Sequence, residues 1–520
     1  MADIVIINPK FEMSFWGLEA CLPFLGKRSN MPVAALPLLA ALTPPHHRLT
    51  LVDENVEAID FDRCARADIV GVTGMIVQRH RMLEIVRELK QRGAFVVIGG
   101  PWISVQEDYF GELADAIFVG EAEETWPRFL ADWEAGKAAR RYEQAEKTDM
   151  TRVPAPRFDL LKMKRYGFAS VQFSRGCPFQ CEFCDIIVVY GRRPRIKTPQ
   201  QIIAELESLC ALKVPLVFIV DDNLIGNKKE IKKVLRHVIA WQQARGYPLN
   251  FVTEASLDLA DDDELMRLMV EANFNCLFVG IESTNEDALR ETKKLQNIRR
   301  TGTLLEKVGR IHDAGLEVWA GLIVGFDNDT EAVFETHRRF VENSGINLVM
   351  VGMLSAIPKT PLHKRLAQEG RLDPSDVPSQ GTNVLPLQMS RDVLSRGYVD
   401  LMAALYEPKS FFDRFDALWL KGPLTTEPGW RRFAAARPWA RWRKQARSWV
   451  ELGALATSML LRLRDSGLRR IYLQRCLGAL RQRPDGVLLR LYLLRCAVHF
   501  HLYHLARLLQ ARDRPLINTY

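Results

Sequence analysis

Three cysteines crowd the stretch "SRGCPFQCEFCDI" (174–186): Cys177, Cys181 and Cys184, spaced C-x3-C-x2-C. Thiols this close in sequence point to metal. A structural zinc site needs a fourth cysteine or histidine at matching spacing. No histidine lies between His80 and His237, and no second C-x2-C occurs. Three thiolates without a fourth fit a 4Fe–4S cluster with three irons held by protein and one open to a substrate or cofactor. The other cysteines (Cys21, Cys64, Cys210, Cys276, Cys476, Cys496) are scattered in mostly apolar contexts and read as buried structural thiols.

The cysteines follow the first of six apolar runs that alternate with helical patterns: 171–176, 216–222, 250–256, 276–283, 317–326 and 348–358. Six β/α units predict a partial (β/α)6 TIM-type barrel over 166–385. Polar residues gather at the strand ends: Asp221, Asp222 and Asn223, Glu254 and Ser256, Glu282 and Ser283, and Asp327. In α/β barrels that rim carries the chemistry, and the cysteine loop lies on it.

A similar rhythm fills the first 135 residues. The runs 3–9, 48–55, 68–75, 95–101 and 116–123 predict five parallel strands of a doubly wound, Rossmann-like α/β domain. Ligands of such sheets bind beyond the strands' carboxyl ends. There stand Asn8; Asp53, Glu54 and Asn55; Thr73 and Gly74; Gly99 and Gly100; and Gly120 and Glu121. The small residues would admit a large flat ligand, with Thr73 and Asn55 as hydrogen-bonding groups, or would merely form tight strand-to-helix turns. No G-x-G-x-x-G follows the first strand, which argues against a dinucleotide. A polar, proline-punctuated segment, 136–165, reads as a linker.

With 520 residues the chain exceeds one core, and 48% apolar with 26% charged residues is ordinary globular composition. The start, "MADIVIINPKFEM", reads as a strand and not a signal peptide. No uncharged stretch approaches the roughly 18 residues of a spanning helix. A reducing cytoplasm, which suits free thiolates, is the expected location. Residues 386–520 form a helical extension. Residues 400–419 predict one amphipathic helix capping the barrel. Much of the +8 net charge gathers in Arg-rich amphipathic stretches at 430–450 and 488–513. Such helices pack as a solvated bundle, lie on an anionic membrane, or bind nucleic acid; the bundle is the first expectation, a membrane surface the second and nucleic acid the last. His499, His501 and His504 read as ordinary residues of a helix face.

The cysteine motif, with Phe183 before the third cysteine, resembles the radical S-adenosylmethionine superfamily. "YGRRPRIKTPQQIIAELESL", "FIVDDNLIGNK", "FVGIES", "GLIVGF" and "IPKTPLHKRLAQEG" resemble that superfamily's later motifs, so the likeness spans 171–370. A doubly wound domain ahead of such a barrel resembles its cobalamin-dependent class, and the segment near 400–419 resembles an extension in members that include hopanoid methylases. The resemblance implies three cofactors: a 4Fe–4S cluster on Cys177, Cys181 and Cys184, S-adenosylmethionine near Asp222, Asn223, Glu254, Ser256 and Glu282, and cobalamin on the first domain. It implies methylation of an unactivated carbon of a small-molecule or lipid substrate. One S-adenosylmethionine would supply the methyl group and another a 5′-deoxyadenosyl radical, with flavodoxin or ferredoxin as electron donor. Radical cyclisation or rearrangement, and a non-catalytic cobalamin sensor, are the rival readings. Many cobalamin domains carry D-x-H-x-x-G after the first strand. Here that loop reads "NPKFEMSFWG", so cobalt without a protein histidine is expected.

Overall fold

The computed structural model describes residues 1–298, 302–378 and 380–511. Its first sheet contains β1 (Asp3–Asn8), β2 (Arg48–Asp53), β3 (Ile69–Thr73), β4 (Val96–Gly99), β5 (Ala116–Val119) and β6 (Arg141–Glu143). All are parallel, in the order β2-β1-β3-β4-β5-β6. The central runs are buried on both faces because helices cover both sides. One such cover is helix Arg79–Gln91, which buries Met82, Ile85, Val86 and Leu89 at i, i+3, i+4 and i+7. The sheet has six strands, one more than expected. Strand β6 falls in the segment that reads as a linker, because only Tyr142 of its three residues is buried, too short a pattern to show a period.

The second sheet begins with β7 (Ala169–Val171). The run expected as one strand to residue 176 breaks there: β8 (Ser174–Arg175) pairs instead, antiparallel, with β9 (Arg195–Ile196). That small ribbon frames the cysteine loop. The barrel strands continue as β10 (Leu216–Ile219), β11 (Asn250–Ala255), β12 (Phe274–Glu282), β13 (Glu317–Val324) and β14 (Val349–Met353). The order β14-β13-β12-β11-β10-β7, with every pair parallel, is an open six-stranded barrel.

The loop after β1 leaves its own sheet. Trp16 packs against Phe218 and Phe278, with ring centroids 5.8 and 5.0 Å away. Phe278 is the lateral partner of Glu254, so Trp16 reaches the face of the barrel sheet that carries the rim carboxylates.

The single helix expected over 400–419 is two, Arg391–Leu405 and Pro408–Trp419. Pro408 cannot continue a helix but suits a first position, and the Glu407 carboxylate caps it by accepting from Ser410 N–H at 3.0 Å. The Arg-rich stretch at 430–450 divides at Pro438 into Pro428–Ala434 and Pro438–Arg462. Helices Ser466–Gln482 and Gly486–Ala511 follow; positions 512 and 513 of the second basic stretch lie outside the described residues. Helix Gly486–Ala511 is buried along its length and packs as part of a bundle. Its Arg495 forms an ion pair with Glu317 at the start of β13. His499 meets the Tyr472 hydroxyl at 2.6 Å, and His501 Nε2 lies 2.8 Å from Ser14 O. These two histidines are therefore buried polar anchors, and burial lowers them to about 3 and about 4. His504 is exposed.

Candidate functional site

The cysteine loop is held from three directions. Gly176 adopts φ 89°, and a Cβ there would sit 2.9 Å from both Gly191 O and Arg193 O, so only glycine fits. Its N–H donates to Asp222 Oδ2 at 2.9 Å. Glu182 N–H donates to Thr292 O at 2.9 Å, and Leu362 N–H donates to Glu182 O at 3.0 Å. These bonds tie the loop to the end of β10 and to the helical segments that follow β12 and β14. All three cysteines are free thiols. Asn223 Nδ2 reaches Cys177 Sγ at 3.8 Å, and Gln296 Nε2 reaches Cys181 Sγ at 3.5 Å. Burial pushes the Cys177 and Cys184 thiols up, with Asp185 adding to the effect at Cys184. Iron would offset that penalty and hold them as thiolates. Among the described residues, the three-ligand group whose donor atoms lie within 4.8 Å of one another is His46, His47 and Glu134, away from this loop. The cysteines are thus not drawn around a single ion. The donor set fits a cluster.

The five rim residues form one neighbourhood around that loop. Asn223 Nδ2 donates to Ser256 Oγ at 3.1 Å, and Ser256 N–H returns a bond to Asn223 Oδ1 at 3.2 Å. Glu254 has no hydrogen-bond partner for its carboxyl among the described residues. Burial, then the charges of Asp222, Asp221 and Glu282, raise it to about 8. Asp222 rises to about 7, mainly through burial. Glu282 sits at φ 65°, where side chains are strained, beside a register shift between β12 and β13. Lys294 Nζ donates to its Oε1 at 2.7 Å, while Oε2 is buried without a partner among the described residues. Gln296 Oε1 is orphaned too. Buried polar atoms left unpaired cost free energy unless a ligand meets them. Lys294 and Gln296 are not legible in the sequence: "ETKKLQN" carries no signal, and only the fold returns it to the rim.

The first domain's rim is built differently. Asn8 Nδ2 donates to Asp53 Oδ1 at 3.0 Å, Gln78 Nε2 donates to Asn8 Oδ1 at 3.0 Å, and the Tyr166 hydroxyl donates to Asp53 Oδ2 at 2.8 Å. Asn55 accepts from Phe11 N–H and donates to Asp53, while Glu54 pairs with Arg81. These four residues brace loops and do not line the cavity beside them. That cavity, about 170 Å³, opens over the ends of β3, β4 and β5 and is lined by Thr73, Gly99, Gly100, Gly120 and Glu121 among mostly apolar neighbours. Gly74 lies outside the lining, but its backbone crowds Gly100: a Cβ there would meet Gly74 O at 2.8 Å. At Gly120 a Cβ would meet nothing within 4 Å, so this position faces open space. A small-residue, apolar slot with Thr73 at its wall would admit an edge of a large organic group. Among the described residues its lining includes no histidine.

The barrel contributes Gln172, Arg175 and Tyr190 to the same cavity. Arg175, two residues before Cys177, donates from Nη1 to Glu121 Oε1 at 2.9 Å and lies 2.7 Å from Glu123 Oε1. Arg195 donates to both Glu121 oxygens, at 2.9 and 3.0 Å. Burial opposes ionisation of Glu121, and the two guanidiniums more than offset it, holding the carboxyl below its usual range. Glu121 is therefore a clamp between the two rims. In the sequence Arg175 stands out only as a neighbour of the motif.

Residues 171–341 match the model of the radical SAM superfamily, and residues 360–514 match a domain of unknown function, DUF4070. An uncharacterized methyltransferase of Synechocystis sp. is 42% identical over 423 residues, covering 80% of this chain and 78% of the relative. The hopanoid C-2 methylase of Rhodopseudomonas palustris is 36% identical over 420 residues, covering 79% and 78%. The fold resembles the radical S-adenosylmethionine methyltransferase TsrM of Kitasatospora setae, with TM-score 0.59 and 16% identity over 85% of this chain and 99% of that one. It also resembles the cobalamin-dependent radical enzyme OxsB, with TM-score 0.54 and 15% identity over 99% and 81%. The chain belongs to the family of radical S-adenosylmethionine methyltransferases that includes hopanoid C-2 methylase. It is an enzyme.

Proposed function

We propose that the protein methylates an unactivated carbon of a lipid of the polycyclic isoprenoid kind. The observation that carries this reading is the meeting of two rims: a buried three-cysteine loop and a small-residue apolar cavity, joined through Arg175 and Glu121. Cys177, Cys181 and Cys184 hold the cluster. Asp222, Asn223, Glu254, Ser256 and Glu282 surround the S-adenosylmethionine site, and Thr73, Gly99, Gly100 and Gly120 wall the cobalamin site. When bound, these groups supply a transferable methyl group and a hydrogen-abstracting radical. The chain's own part is to orient them and to exclude water. The lipid class rests on the similarity to hopanoid C-2 methylase.

The test uses anaerobically reconstituted protein with cobalamin, methyl-labelled S-adenosylmethionine, a flavodoxin or ferredoxin donor and a hopanoid substrate. Labelled lipid together with deoxyadenosine is the expected result. Deoxyadenosine with an unlabelled but altered substrate would instead indicate cyclisation or rearrangement. A protein that binds cobalamin and forms neither product would be a sensor.

A further inference from the structure

The helix Pro438–Arg462 has two apolar faces, and only one is covered. Ser448, Leu455 and Met459 are buried against the bundle. Trp439, Trp442, Trp449, Val450, Leu460 and Leu461 are exposed, with Trp439 at 77%, Val450 at 73% and Leu461 at 79%. At 3.6 residues per turn these six fall within about a third of the circumference, opposite the buried side. They make one stripe along a helix of 25 residues, about 37 Å long. A chance scatter of surface leucines would not keep this register. The next helix, Ser466–Gln482, repeats the pattern in brief with exposed Leu473, Leu477 and Leu480.

Charge selects the occupant. Residues 438–483 carry eleven Lys and Arg against two acids, Glu451 and Asp465, a net charge of +9 in a chain whose total is +8; Lys444 pairs with Glu427 and Arg475 with Asp413 and Asp416 from outside this stretch, and the surface remains basic. A second copy docked here would set two such surfaces against each other. Nucleic acid would satisfy the arginines, and tryptophans can stack on bases, but aliphatic Val450, Leu460 and Leu461 have no role in that contact. An anionic bilayer meets all three features: arginines at the headgroups, tryptophans at the interface, aliphatic side chains in the acyl boundary. Among the described residues no helix is long and apolar enough to cross a membrane, which leaves lying on it.

We propose that the helices Pro438–Arg462 and Ser466–Gln482 form a docking surface for an anionic lipid bilayer. This assigns a role to part of the region matching the domain of unknown function. It extends the lipid-methylase reading but rests on none of the chemistry at the two rims.

Vesicle sedimentation of the full chain tests it, with phosphatidylcholine alone and with phosphatidylglycerol added, at about 0.1 M salt. Pelleting with the anionic vesicles, weak pelleting with the neutral ones, and weakening as salt rises are expected. The variant Trp439→Ala/Trp442→Ala/Leu461→Ser changes exposed side chains only. It should keep its circular dichroism and its deoxyadenosine formation in solution while losing at least about tenfold in vesicle partition. Arg443→Glu/Arg447→Glu, which flank the stripe, should abolish the preference for anionic vesicles. Negligible pelleting with both vesicle types would overturn the proposal, as would pelleting that the apolar variant does not change. A concentration-dependent dimer lost in that variant would reassign the stripe to self-association. Binding of a single-stranded oligonucleotide without vesicle binding would reassign it to nucleic acid. In each of these failures deoxyadenosine formation still judges the methylase reading by itself.

Discussion

The two rims start from the same residue types and treat them in opposite ways. In the first domain, Asn8, Asp53 and Asn55 satisfy one another, and the cavity beside them is walled by small and apolar residues. At the barrel rim, Glu254 is left without a hydrogen-bond partner among the described residues, and Glu282 Oε2 and Gln296 Oε1 are buried and unpaired. On the proposed reading, a scaffold for a large ligand with mostly apolar walls would close its own polar network. On the same reading, a site for a zwitterionic cofactor and a cluster would keep polar atoms in reserve, at a cost in stability.

The largest expected effect is at the cysteines. Cys177→Ala, Cys181→Ala or Cys184→Ala should each lower deoxyadenosine formation by on the order of a thousandfold or more, and the triple variant should lose its iron and visible charge-transfer absorption. Wild-type iron in the triple variant would remove the barrel rim from the comparison.

Next comes the buried pair under that rim. Lys294→Met leaves the Glu282 carboxylate uncompensated and should destabilise the protein by about 3–5 kcal/mol. Adding Glu282→Gln should recover much of that, because the pair and not the lysine alone matters. Denaturant unfolding of the cluster-free protein measures both, and a double variant no more stable than Lys294→Met would show that the two groups are not coupled.

The first rim should respond selectively. Gly120 has φ 82°, so any side chain there is strained and Gly120→Ala serves as the control; Gly120→Leu should cut cobalamin retention further, read from its absorbance, with iron content unchanged. Asn55→Ala removes only bracing bonds and should cost about 1–2 kcal/mol without loss of cobalamin. Equal loss of cobalamin in Gly120→Leu and Asn55→Ala would mean that the bracing network is itself a ligand surface.

The last comparison concerns pH. Glu254 is raised to about 8, above its ordinary carboxylate value, so folding favours its neutral form. Its contribution is complete at low pH and lost as pH climbs from about 4.5 through about 8. The cluster-free protein should thus lose stability across that window, and Glu254→Gln should flatten the slope. A variant with the wild-type slope would place the titration elsewhere.

The cysteine motif and the main strands are legible in the residues alone. The motif is local, and its spacing restricts the metal chemistry. The strand runs are local as well, since buried parallel strands are continuous apolar segments. Strand β6, with one buried residue, and the break between β7 and β8 fall below that signal. Glu121 stands at the expected strand end, but its partners Arg175 and Arg195 lie 54 and 74 positions away, beyond what any local pattern reports.

By itself, then, the sequence determined the three-thiol chemistry, the two successive α/β sheets and the basic helical tail, because each is written in residue type and short-range period. The tertiary structure decided which polar groups at the strand ends are consumed and which are kept, because that depends on partners distant in the chain. It also separated two tail helices of similar Arg and aromatic content. Gly486–Ala511 is buried in the bundle, while Pro438–Arg462 leaves its tryptophan stripe to solvent. Amphipathic composition shows that a face exists, and only packing shows whether anything covers it.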